Sequence, residues 1–68
     1  MERLNKYFKE LTNDLLVLNK EQLGEIMAHK LDSFDGFSAA YHECWDSNDF
    51  ELTNDPVEDD IAIFVKKN

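Results

Sequence analysis

The chain has 68 residues, of which 43% are hydrophobic and 32% charged, and this composition predicts one small folded domain over residues 1–68. Its formal net charge of −8 argues against direct nucleic-acid binding, because phosphate contacts require Lys and Arg. Its single cysteine excludes an internal disulfide and favours a reducing compartment, so we expect the protein in the cytoplasm. No apolar run approaches the roughly 20 residues that cross a bilayer, and the first residues do not resemble a signal peptide, so no membrane is expected as a partner.

The first predicted element is an amphipathic helix over residues 2–18. Its large apolar side chains recur at helical spacing and would form one stripe: Leu4, Tyr7, Phe8, Leu11, Leu15 and Leu18. Within this stripe, three leucines recur at intervals of seven residues. That interval is compatible with self-association, so a homodimer is one expectation from the sequence.

A second helix is predicted to begin after Asn19. Asparagine is a favourable N-cap, and Gln22 three residues later completes the pattern of a capping box. Leu18 before the cap and Leu23 after it are spaced to form a hydrophobic staple. So short a connection predicts that the first two helices are antiparallel or sharply angled neighbours.

A third helix is predicted over about 38–46, after a turn at 32–37 in which Gly36 interrupts any continuous helix. One side of this helix would carry Tyr41, Cys44 and Trp45. Cys44 is expected to be a packed thiol and not a nucleophile, because an apolar setting and nearby carboxylates both raise a thiol pKa.

The C-terminal third allows two interpretations. Residues 50–54 alternate between apolar and polar, and residues 61–65 are β-branched and aromatic, which is typical of two strands of a hairpin. The preferred fold is therefore α+β, with three short helices followed by a C-terminal two-stranded β-hairpin.

The alternative is an all-α fold with a C-terminal helix over 56–66. Asp55 would be its N-cap and Pro56 would occupy its first position, where proline is favourable. This helix would leave Ile63 opposite the other apolar side chains, which is why the hairpin is preferred.

The residue types that carry out catalysis or bind metals do not occur at workable spacings. His29, His42 and Cys44 are too few for a structural zinc site, and the last two would point to different sides of a helix. The acidic run that starts at Asp46 lacks the ligand spacing of an EF-hand loop. We therefore expect no enzyme activity, no catalytic or metal-binding residue and no cofactor.

The negative charge is concentrated in one part of the chain. Residues 1–30 contain five acidic and five basic side chains, whereas residues 31–65 contain ten acidic side chains and no Lys or Arg. Carboxylates interleaved with large aromatic side chains fit a basic protein surface, including that of a nucleic-acid-binding protein. The candidate partner-binding residues are Tyr41, Trp45, Asp46, Asp49, Phe50, Glu51, Asp55, Glu58, Asp59 and Asp60.

In composition the chain resembles small phage or mobile-element proteins that inhibit host nucleases or polymerases by imitating the charge of DNA, an analogy of composition alone. The resemblance implies a small acidic protein-binding module of phage or bacterial type that acts as an inhibitor or regulator. The alternative is a structural or homo-oligomeric assembly subunit, in which the acidic face serves only solubility.

Overall fold

The computed structural model describes residues 2–67, and Met1 and Asn68 lie outside the described part. In chain order, the elements are α1 (Glu2–Glu10), β1 (Leu15–Leu18), α2 (Lys20–Met27), α3 (Phe37–Asp46), β2 (Phe50–Leu52), α4 (Pro56–Asp59) and β3 (Ala62–Lys66). The predicted α+β class is confirmed, although the described residues form four helices and a three-stranded sheet where three helices and a two-stranded hairpin were predicted. None of these helices is long and apolar enough to cross a bilayer.

The sheet is antiparallel and has the strand order β1-β3-β2. The last strand in the sequence is therefore the central one, and it pairs with both edge strands. Phe64 in β3 lies opposite Leu16 in β1 and opposite Leu52 in β2.

The predicted first helix is wrong beyond Glu10, because residues 15–18 form an edge strand. Thr, Asn and Asp at positions 12–14 are poor helix formers whose side chains compete for backbone hydrogen bonds. The burial of β1 alternates as in a strand, since Leu15 is 59% and Val17 44% exposed whereas Leu18 is 4% exposed. A strand therefore separates α1 from α2, and the predicted short connection between two helices is wrong.

The start of α2 was predicted correctly. The side chain of Asn19 accepts a hydrogen bond from the Gln22 amide at 2.8 Å, and the Gln22 side chain accepts one from the Asn19 amide at 2.9 Å. Such a cap contributes roughly 1 kcal/mol to stability. Leu18 and Leu23 are both buried in the core beside it. The third helix also forms, one residue earlier than predicted, after Gly36 at a φ of 71°.

Each interpretation of the C-terminal third contains part of the observed structure. β2 and β3 form the predicted hairpin. Its connection contains the short α4, in which Asp55 caps the Val57 amide at 3.1 Å and Pro56 occupies the start of the helix. The helix stops at Asp60, which adopts a left-handed φ of 56°. The all-α alternative is wrong, because residues 62–66 are the central strand.

The core is an aromatic cluster between the helices and one face of the sheet. The ring of Phe64 lies 4.9 Å from that of Phe8 in α1 and 5.1 Å from that of Trp45 in α3, measured between centroids. Phe50 in β2 lies 5.3 Å from Phe8. Both α1 and α3 therefore cover the face of the sheet on which Phe64 lies.

Candidate protein-binding surface

The fold separates the predicted carboxylates into two groups and one single residue. Asp46 and Asp49 precede β2, whereas residues 55–60 follow it, so the two groups lie at opposite ends of the β2–β3 hairpin. Four residue steps along β3 separate these ends by about 13 Å. Glu51 lies between them, within β2. All seven predicted carboxylates are exposed, but they do not form one continuous cluster.

Two of the three predicted aromatic contact residues belong to the core. Trp45 is 2% and Phe50 0% exposed, so neither is available to a partner, and both are removed from the candidate surface. A domain of this size needs its largest apolar side chains to build a core. Tyr41 is half-buried, and its hydroxyl lies 3.4 Å from Nε2 of His29 at the surface.

Three of the carboxylates around α4 have structural roles. Asp55 caps the helix, and Asp59 accepts a hydrogen bond from Nδ2 of Asn54 at 3.0 Å. Asp60 forms an ion pair with Lys20, whose Nζ lies 2.9 Å from its Oδ1. Changes at these three residues would disturb folding as well as any contact with a partner.

The other exposed carboxylates are better candidates for a purely external role. Asp46, Glu51 and Glu58 form no ion pair among residues 2–67. Asp49 is less suitable for substitution, because it adopts a left-handed φ of 65° and its carbonyl accepts the Lys67 amide at 2.6 Å. Asp46, Glu51 and Glu58 therefore define the carboxylate set that can be changed with the least effect on the fold.

Tertiary structure moderates the charge segregation seen in the sequence. Lys20 pairs with Asp60, and Lys30 lies 3.6 Å from its near neighbour Asp32, so two basic side chains of the balanced half contact acids of the other half. The first pair joins residues far apart in the sequence. No local spacing could have revealed it.

Sequence reasoning missed an apolar surface on the uncovered side of the sheet. We call it the open face and define it by Leu15, Val17, Ile63 and Val65. Leu15 is 59%, Val17 44% and Val65 38% exposed, and Ile63 is half-buried. The strand predicted over 61–65 already implied that Ile63 and Val65 share one face of a sheet. Leu15 and Val17, which complete the open face, were assigned to a helix, so the face as a whole was missed.

The single cysteine lies in the core, as predicted. Cys44 is 2% exposed, and burial raises the pKa of its thiol, with a smaller contribution in the same direction from the carboxylate of Glu43. Among residues 2–67, no group of three or more His, Cys, Asp or Glu side chains is arranged to hold a metal ion.

Cys44 should resist alkylation by iodoacetamide at neutral pH in the folded protein and react rapidly in denaturant. Burial blocks access, and the raised pKa keeps the thiol protonated. Because the unfolded chain ionises first as pH rises, the free energy of unfolding should also fall with increasing pH above the usual pKa of the thiol. Mass spectrometry of labelled samples measures the rates, and equal rates in buffer and denaturant would contradict a buried thiol.

Two shallow grooves lie beside the helices. One, of about 410 Å³, is lined by α2 and the residues that follow it, and the other, of about 630 Å³, is lined by Asn5, Lys6, Lys9 and Glu10. Both mix acidic and basic side chains, and neither includes a predicted site residue. The exposed carboxylates and the open face therefore remain the surfaces of interest.

Comparisons of the chain with protein-family models, with curated proteins and with solved structures find no match.

Proposed function

We propose that this protein is a non-enzymatic cytoplasmic binding module that docks its acidic surface on a basic surface of a partner protein. The proposal is supported by the net charge of −8 and by three of the predicted carboxylates, Asp46, Glu51 and Glu58, which are exposed and form no ion pair among residues 2–67. The proposed partner class is a nucleic-acid-binding protein, and the proposed consequence is inhibition or regulation, because an acidic chain in a basic groove competes with DNA or RNA.

Electrostatics gives the physical reason for such a role. Carboxylates of like charge repel one another and lower the stability of the folded chain, yet they attract a basic partner over a distance and speed its association. Much of this benefit lies in the association rate and in discrimination between partners, and salt reduces it. A surface of this kind should therefore bind strongly at low ionic strength and weakly at high ionic strength.

The leucine stripe predicted to mediate a homodimer does not support the structural alternative. Leu4 is 0% and Leu18 4% exposed, and both pack in the core of their own chain. Leu18 also lies in β1 and not in a helix, so the interval of seven residues has no helical meaning. Self-association would need another surface, and the open face is the candidate.

The proposal is tested by reversing two exposed charges that form no ion pair among residues 2–67. A double variant with Asp46→Lys and Glu58→Lys should weaken binding to a basic protein captured from a cell lysate by roughly tenfold or more. The captured protein is eluted with salt, identified by mass spectrometry and purified, and its affinity is measured at several salt concentrations. Asp46 ends α3, where Lys favours the helix dipole. Glu58 lies in the first turn of α4, where Lys costs about 0.3–1 kcal/mol, so the fold should persist with slightly lower stability.

The matched control is Glu10→Lys with Glu25→Lys, which changes the net charge equally but lies in the balanced half of the chain. We expect this variant to bind about as well as the unchanged protein, within roughly twofold. Equal losses in the two variants, or binding that does not respond to salt, would leave the acidic surface with a role in solubility only. Circular dichroism of each variant verifies that its fold is retained.

A further inference from the structure

We propose that the open face is a docking surface for a partner segment that places apolar side chains beside a Lys or Arg. The inference rests on the proposed function and specifies where the contact is centred and what chemistry the partner supplies. The inference is based on the apolar side chains of the open face and on one acidic side chain at its edge, Glu51.

The strand register places the exposed side chains in two rows across the sheet. The first row is Leu15–Val65–Glu51, and in the second Val17 lies opposite Ile63. The other face of the same strands is covered by helices, and both Ala62 and Phe64 are 0% exposed there. Burial of the open face against a partner is favourable in proportion to the apolar area removed from water.

The charge at the edge of the array selects the partner. Glu51 is exposed, lies directly opposite Val65 and forms no ion pair among residues 2–67. A neutral apolar segment that covered the face would desolvate this carboxylate without compensation, which costs free energy. A Lys or Arg beside the apolar side chains of the partner would supply that compensation.

A second copy of the chain satisfies these requirements poorly. Two copies would each bring a net charge of −8 and a Glu51 carboxylate to the same small patch, whose defining residues include no cation. The four residues of the open face lie on two neighbouring strands, β1 and β3, whose backbones are about 5 Å apart. A stable dimer typically buries about 800 Å² on each partner, far more than this patch alone offers. The dimensions fit one strand or a short helix of a basic partner.

The test uses two defined peptides of equal length and equal positive charge. One repeats Leu-Thr-Lys-Thr, which puts Leu and Lys on the same face of a strand, and the other repeats Ser-Thr-Lys-Thr. The Leu-containing peptide should bind roughly tenfold more tightly, because only it can fill the apolar rows. Amide chemical shifts in an NMR titration should change most at Leu15, Val17, Ile63, Val65 and Glu51.

Variants of the face test the same contact from the side of the protein. Leu15→Thr with Val17→Thr should reduce affinity for the Leu-containing peptide to that of the Ser-containing one, since Thr keeps the strand preference but removes apolar surface. Val57→Thr is the control, because Val57 is 56% exposed but lies on α4. Glu51→Gln leaves the apolar side chains of the open face intact and should lower the affinity for both peptides. This variant therefore remains informative if the Thr variant unfolds.

Four outcomes would overturn the inference. Equal affinity for the two peptides, or shift changes confined to Asp46, Asp49 and residues 55–60, would place the contact elsewhere. A dimer in sedimentation velocity that the Thr variant abolishes would assign the face to a second copy. The Thr variant could keep full affinity for the Leu-containing peptide while reversal of Asp46 and Glu58 still weakens binding of the captured protein. In that case the inference fails and the proposed function stands.

Discussion

Replacing Phe64 with Ala should lower the free energy of unfolding by about 3–5 kcal/mol, among the largest losses that one substitution can cause in this domain. The ring is 0% exposed in the central strand and touches the aromatic residues of α1 and α3. Phe-to-Ala changes in a core cost about 3–5 kcal/mol. A domain of this length has a total stability of about 3–10 kcal/mol. The change therefore removes much or all of the free energy that favours the fold.

Val65→Ala is the matched control, because it alters the next residue of the same strand on the open face. Val65 is 38% exposed, so its truncation should cost less than about 1 kcal/mol. Urea unfolding followed by circular dichroism compares the two variants. Similar midpoints for Phe64→Ala and Val65→Ala would show that the core does not depend on the central ring.

Asn54→Ala should cost roughly 2–4 kcal/mol, a large effect for one polar side chain. Its Nδ2 donates to the Ile61 carbonyl at 2.7 Å and to Asp59 at 3.0 Å, and its Oδ1 accepts from the Ile63 amide at 2.9 Å. The side chain thus fastens the α4 connection to the start of β3. Its loss leaves partly buried backbone groups without hydrogen bonds, which is the main cost.

Asn13→Ala provides the comparison, because Asn13 is exposed in the loop between α1 and β1 and should tolerate the change. Asn54→Asp keeps the acceptor but removes the donors and adds charge near Asp59, so it should also destabilise the fold. Amide hydrogen exchange gives the local measurement. Unchanged protection of the Ile63 amide in Asn54→Ala would contradict the role assigned to this side chain.

The elements predicted correctly are those that local chemistry specifies. The capping box at Asn19 and Gln22 fixed the start of α2, and Gly36 marked the entry to α3. β1 was missed because Leu15 and Leu18 also fit a helical stripe. Pairing with β3 makes residues 15–18 a strand and not a helix. The residues of β3 lie more than forty positions away, so this pairing leaves no trace in local periodicity.

The candidate surface was predictable only in part, for a similar reason. Exposure of the carboxylates follows from their chemistry, and all of the predicted ones are exposed. Interleaving in the sequence does not say which way an aromatic side chain points, and Trp45 and Phe50 were needed in the core. The open face and the Lys20–Asp60 pair exist only after distant segments meet.

The central position of β3 determines how the chain can fold. Neither edge strand pairs with the other, so no part of the sheet can form before β3 joins it. Pairing of β1 with β3 closes a loop of more than forty residues, which imposes an entropic barrier that a purely helical protein of this length avoids. A topology rich in such distant contacts slows folding, and until β3 arrives the apolar β1 edge is exposed to other chains.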